Sequence, residues 1–132
     1  MKNGIITILL FFFFSNVFGQ NIDRTYLAHG HNFGPAYSYD ITEIIIHSDS
    51  TYTSKNYRVF NKKDWKTYKT RKPEISNGRI TRNEEFYILT QYTNGHKTDF
   101  YWTVKISDKK IVYYYPNDKG KMRKTATYKR IL

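Results

Sequence analysis

Residues 85–107 read EFYILTQYTNGHKTDFYWTVKIS. Asn94-Gly95 sits between two runs rich in aromatic and β-branched residues. That pair predicts a two-residue hairpin turn, because both central residues of such a turn take positive φ. Before the turn, Phe86, Ile88, Thr90 and Tyr92 share one face. After it, Phe100, Trp102, Val104 and Ile106 share one face, while Asp99, Tyr101, Thr103 and Lys105 make the other. Alternation with a period of two is the mark of a half-buried strand.

The same grammar extends in both directions. Ile111 to Tyr115 reads as a strand after the turn at Asp108-Lys109-Lys110. Pro116 to Gly120 is a loop, and Lys121 to Ile131 is the closing strand. Upstream, Tyr37 to His47 ends in Ile44-Ile45-Ile46, and Ser48-Asp49-Ser50 turns the chain. Thr51 to Phe60 follows, with Thr51, Thr53, Tyr57 and Val59 on one face and Tyr52 on the other. Ile75 to Arg82 predicts a short strand with a bulge at Gly78. Residues 61–72 allow one helical turn, since Trp65 and Tyr68 stand three apart, or a short strand; Pro73 stops either one. The fold class is all-β: an antiparallel up-and-down meander of seven or eight strands, forming a small barrel or a strongly curved sheet.

The N-terminus has a different pattern. Lys2 precedes a nearly unbroken apolar run from Ile5 to Phe14, and Val17-Phe18-Gly19 provides a cleavage site. This is the layout of a secretory signal peptide. The run is about ten residues, half of the roughly 20 a membrane-spanning helix needs. Residues 1–19 are therefore expected to be removed, with export to the periplasm or the medium and no remaining span. Residues 20–36, which hold Gly30, Gly34 and Pro35, are expected to be irregular, and residues 37–132 to form one β domain. Within the chain of 132 residues there is no cysteine, so a single packed core must supply the stability without disulfides. A monomer is expected.

The formal net charge is +11, and the signal contributes only Lys2 to it. Such a surface stays soluble and attracts anionic partners. Lysine on strand edges also suppresses edge-to-edge association, so the charge has a structural reading as well. An outer-membrane barrel would need an apolar outward band. Lys105 and Asp99 interrupt it here.

The stretch from Ile41 to Ile131 resembles the small secreted lipocalin-like proteins. The resemblance rests on Ile44-Ile45-Ile46 with Asp49-Ser50-Thr51-Tyr52, on Tyr101-Trp102-Thr103-Val104-Lys105-Ile106, on Lys110-Ile111-Val112-Tyr113, and on Tyr128-Lys129-Arg130-Ile131. It implies a β-barrel binding module that is not an enzyme. Gly34-Pro35-Ala36-Tyr37 stands where the family has Gly-x-Trp, and no functional residue is carried over.

Four groups of residues could carry chemistry. Phe86, Ile88, Phe100, Trp102, Val104 and Tyr113 are the candidates to line a cavity for a small apolar or amphipathic ligand, or else to close on one another as core. Lys62, Lys63, Lys66, Lys69, Arg71 and Lys72 surround Trp65 and Tyr68, and Lys121, Arg123 and Lys124 lie near Tyr128. Cations interleaved with rings suit a polyanion, a cell-envelope component or a protein partner, including one that this chain would inhibit. His29 and His31 could share a metal, though a structural site needs four ligands and a catalytic one usually three. The alternative is two solvated histidines in a Gly-rich loop. No nucleophile, phosphate-loop or zincin motif occurs. No catalytic residue and no cofactor is therefore expected.

Overall fold

The structure, a computed structural model, describes residues 23–132. The expected signal segment lies outside the described residues. Eight strands follow in sequence: β1 (Arg24–Asn32), β2 (Ser38–Ile46), β3 (Thr51–Val59), β4 (Glu74–Asn83), β5 (Phe86–Thr93), β6 (His96–Ile106), β7 (Lys110–Pro116) and β8 (Met122–Arg130). Each pairs antiparallel with the next, and β1 pairs with β8, so the meander closes into a barrel. Closure removes the two edges an open sheet would expose.

Two expectations change at this level. The segment expected to be irregular, residues 20–36, contains β1, whose nine residues all pair with β2. Tyr26 is fully buried inside and Leu27 packs on the outer wall, so the strand contributes to both faces although Gly30 and the histidines make it loop-like in composition. There is also no bulge at Gly78. It opposes Tyr52 on one side and Gln91 on the other in unbroken register.

The turns alternate between the two ends of the barrel. At the turn end lie residues 47–50, 84–85 and 107–109, together with the chain terminus. At the loop end lie residues 33–37, 60–73, 94–95 and 117–121. Asn94 and Gly95 both have positive φ (51° and 78°), the conformation that the hairpin motif requires.

Two clusters hold the barrel. Inside, Tyr26, Ile44, Ile46, Tyr52, Leu89, Val104 and Ile111 pack together. The Tyr26 hydroxyl donates to the Ser107 carbonyl at 2.7 Å, which ties the closing seam to the β6–β7 turn. Arg130 pairs with Asp108 at the same place.

The second cluster lies outside the wall, on β1, β2 and β3. Residues Lys62–Thr70 form a 3₁₀ segment whose first turn is capped by the Asn61 side chain, accepting from Lys63 N at 3.1 Å. The segment kinks at Thr67, whose φ/ψ are not helical, and Trp65 and Tyr68 on either side of the kink both face the wall, over Tyr39, Ile41, Tyr57 and Val59. The Tyr68 hydroxyl donates to the buried Glu43 at 3.3 Å, and its ring meets Tyr57 edge-on.

Candidate functional site: the barrel lumen

Directly opposed residues of an antiparallel pair share a face. Leu89 opposes both Ile80 and Trp102, and Val104 opposes both Tyr87 and Tyr113. These are the inward rows. Phe86 and Ile88 alternate with Tyr87 and Leu89 and therefore point outward, which corrects their expected place in the lining. The outward Phe86 ring packs edge-on against Tyr114, with Lys105 over both. The hairpin already contained this answer. Around Asn94-Gly95 each even-numbered residue of the first strand meets an odd-numbered residue of the second. Phe86 then falls with Thr103, not with Trp102. The bulge between Thr90 and Tyr92 changes the partners but not this parity.

Of the other lining candidates, Val104 is fully buried in the inner cluster and Phe100 is exposed at the loop end. Trp102 and Tyr113 line a real cavity in the lumen. Its volume is about 240 Å³, and Thr42, Ile44, Tyr52, Ser54, Asn56, Ser76 and Tyr128 complete its wall. Only Trp102 and Tyr113 of these nine were among the sequence candidates. Ser54, Asn56 and Ser76 are polar residues at inward positions, and polarity hid them. A consistent inward parity from Tyr52 through Ser54 to Asn56 is the signal that could have found them.

The lining combines flat rings with short hydroxyl and amide groups and contains no formal charge. Burial pushes the Tyr52 phenol up to about 12. It raises Tyr113 further, with Tyr128 and Tyr52 adding to the effect. Tyr128 is also raised by burial, against a hydrogen bond with Thr42 that acts the other way. All three phenols are neutral donors near neutral pH.

Tyr52 is the singular member. It is 2% exposed, and among the described residues its hydroxyl is the one buried side-chain polar atom with no hydrogen-bond partner. A buried hydroxyl left unpaired costs about 1–3 kcal/mol. Gly78 creates its place: the Tyr52 ring lies where a side chain on residue 78 would have to be.

The wall around this cavity is incompletely zipped. Residues Thr103–Ile106 are the only part of β6 paired with β7. Tyr26 and Leu27 are the only β1 residues paired with β8. Toward the loop end the β7–β8 hairpin is therefore bonded to itself alone. Trp102, in the cavity wall, keeps 38% of its surface exposed and marks the mouth of the lumen.

Three surface clefts are larger, one of them, beside Asp108 and Arg130, only slightly at about 270 Å³. One of about 440 Å³ includes Arg82, Lys105, Lys110 and Lys124, and one of about 460 Å³ includes His47, Asn77 and Arg79. Volume does not decide between them and the lumen. They are surface depressions edged by charged groups, and the largest shares Tyr52 with the lumen; the lumen is the one of the four whose lining carries no charged group.

The histidine and lysine candidates are placed as follows. His29 and His31 lie on β1 and not in a Gly-rich loop. His29 stacks on Trp65 at 4.0 Å and shares a hydrogen bond with the Tyr39 hydroxyl. His31 Nδ1 is 2.9 Å from the Tyr37 hydroxyl, and the ring stacks on Phe33. Among the described residues no three His, Asp or Glu side chains converge as a metal site. Lys62, Lys63, Lys66, Lys69, Arg71 and Lys72 are exposed on or beside the 3₁₀ segment. Trp65 and Tyr68 between them are committed to the wall, so the rings that were to stack on a ligand are not free to do so. Lys121, Arg123 and Lys124 are exposed on the β7–β8 hairpin.

Comparison with known proteins returns no match: no family model, no curated protein and no solved structure is similar to this chain.

Proposed function

We propose that the chain is an exported, non-catalytic binding module that holds one small, uncharged, amphipathic molecule in the barrel lumen. The observation that carries this reading is the Tyr52 hydroxyl, buried in the wall of a cavity and left without a partner. A bound molecule that accepts from it recovers a hydrogen bond whose desolvation the fold has already borne. The rings of Trp102, Tyr113 and Tyr128 supply flat apolar contact, and Thr42, Ser54, Asn56 and Ser76 can read polar substituents. Ligand pockets for drug-sized molecules run from about 300 Å³ upward. The lumen is smaller, so the occupant is either compact or leaves part of itself in the mouth. The resemblance to lipocalin-like proteins points the same way.

The test uses 6-propionyl-2-dimethylaminonaphthalene, a neutral amphipathic dye whose ketone oxygen can accept from Tyr52 and whose emission brightens in apolar surroundings. One dye should bind per chain, with an affinity insensitive to salt. Tyr52→Phe should weaken binding about tenfold. The same variant should be at least as stable as the parent, because it deletes an unsatisfied buried group. Absence of dye binding to the parent, or equal binding by Tyr52→Phe, would remove the lumen or Tyr52 from the function.

A further inference from the structure

Apart from Tyr101 on the outer wall of β6, the most exposed apolar side chains are not scattered. Phe33 (81% exposed) is in the β1–β2 turn, Phe60 (69%) follows β3, and Ile75 opens β4. Phe100 (65%) lies after the β5–β6 hairpin, and Tyr115 (70%) lies at the end of β7. The meander brings all five to the loop end, around the mouth of the lumen. At the turn end the exposed large apolar residues are the terminal Ile131 and Leu132.

Charge follows the same axis. Residues 60–73 bring Lys62, Lys63, Lys66, Lys69, Arg71 and Lys72 to the loop half with Asp64 as the one acid among them. The β7–β8 loop adds Lys119, Lys121 and Arg123 against Asp118. The turn end is mixed: Asp23, Asp49, Glu84, Glu85 and Asp108 stand among Arg24, Arg82, Lys109, Lys110, Lys129 and Arg130. One end of the barrel thus combines isolated apolar anchors with a strong excess of cations.

From this we infer that the loop end docks on the surface of an anionic lipid bilayer, with the mouth of the lumen facing the membrane. Charge complementarity selects the partner: Lys and Arg near a surface rich in anionic headgroups are each drawn to it. The dispersion of the anchors favours a bilayer over a protein. Five side chains on separate loops and strands can each enter the headgroup region, where aromatic rings and the long stems of lysine are at home. A protein would need a continuous complementary surface against a rim with a hole at its centre. The inference does not depend on the lumen holding a ligand.

The experiment is flotation of the chain from Gln20 onward, which carries the whole barrel, with two kinds of vesicle. One kind is phosphatidylcholine alone, and the other is phosphatidylcholine and phosphatidylglycerol in equal parts. Binding is expected to the anionic vesicles and to be weak on the neutral ones. The variant K63E/K66E/K69E should lose about tenfold or more in partitioning. F33S/F60S/F100S, altered only at exposed positions, should also fall about tenfold on anionic vesicles while eluting from a heparin column at the parent's salt concentration. K109E/K129E, at the turn end, should partition like the parent. Three results would overturn the inference. The parent could fail to float with anionic vesicles. The phenylalanine variant could bind as well as the parent, which would leave a plain polyanion surface. Or the turn-end variant could lose as much as the loop-end one.

Discussion

Gly78→Ala is expected to destabilise the barrel by about 3 kcal/mol or more, against the usual direction for this substitution. Glycine inside a strand ordinarily costs about 0.5–1 kcal/mol relative to alanine, so Ala should help. Here a Cβ would sit 2.0 Å from the Thr90 carbonyl oxygen and 2.5 Å from the Tyr52 ring. Neither neighbour can yield easily. The carbonyl belongs to β5, in the ladder with β4, and the Tyr52 ring is held by the inner cluster. A domain with a total stability of about 5–15 kcal/mol loses a large share of it. The urea midpoint should fall sharply. Gly30→Ala is the control, since nothing lies within 4 Å of a Cβ there. It should be neutral or slightly stabilising, by up to about 1 kcal/mol. Equal midpoints for the two variants would mean that the Tyr52 ring does not lie against β4.

The barrel is also expected to unfold cooperatively in alkali, between pH 10 and about 12. Burial raises the phenols of Tyr26, Tyr57, Tyr113 and Tyr128, and pushes Tyr52 to about 12. Tyr68 reaches about 12 through burial and the neighbouring Glu43 carboxylate. The sign follows from linkage. Above pH 10 the unfolded chain releases these protons while the folded barrel keeps them. The unfolded state then binds fewer protons, so stability falls as pH rises. The contribution is complete below pH 10 and is lost as pH climbs through 12. Tyrosinate absorbance and far-ultraviolet circular dichroism, followed together, should change in one step for these residues. Tyrosinate formation completed near pH 10 with the dichroism intact would show that the phenols are open to water.

The comparison of sequence with structure divides along physical lines. Strands with strong alternation were legible, as were the Asn94-Gly95 hairpin and the placement of Tyr52 on the opposite face from Tyr57 and Val59. What failed was reading polarity as position. β1 carries His29, Gly30 and His31 and looked like a loop, yet a strand that closes a barrel needs paired backbone more than apolar side chains. Ser54, Asn56 and Ser76, polar and not among the candidates, line the lumen. Phe86 and Ile88 looked like core and face outward, because aromatic character says that a residue will be covered and not by which face. Trp65 and Tyr68 were read as a binding surface within a lysine cluster, and became the underside of a 3₁₀ segment that roofs the outer wall. Gly78 looked like a defect in a strand and is the space that admits Tyr52.

The first measurement to make is a native mass spectrum of the chain, purified from the compartment in which it accumulates, beside that of Tyr52→Phe. The account predicts one small molecule retained per parent chain and released on denaturation, with much lower occupancy in Tyr52→Phe. Bare chain masses for both proteins would contradict it, and would identify the lumen as a space that the fold leaves unfilled.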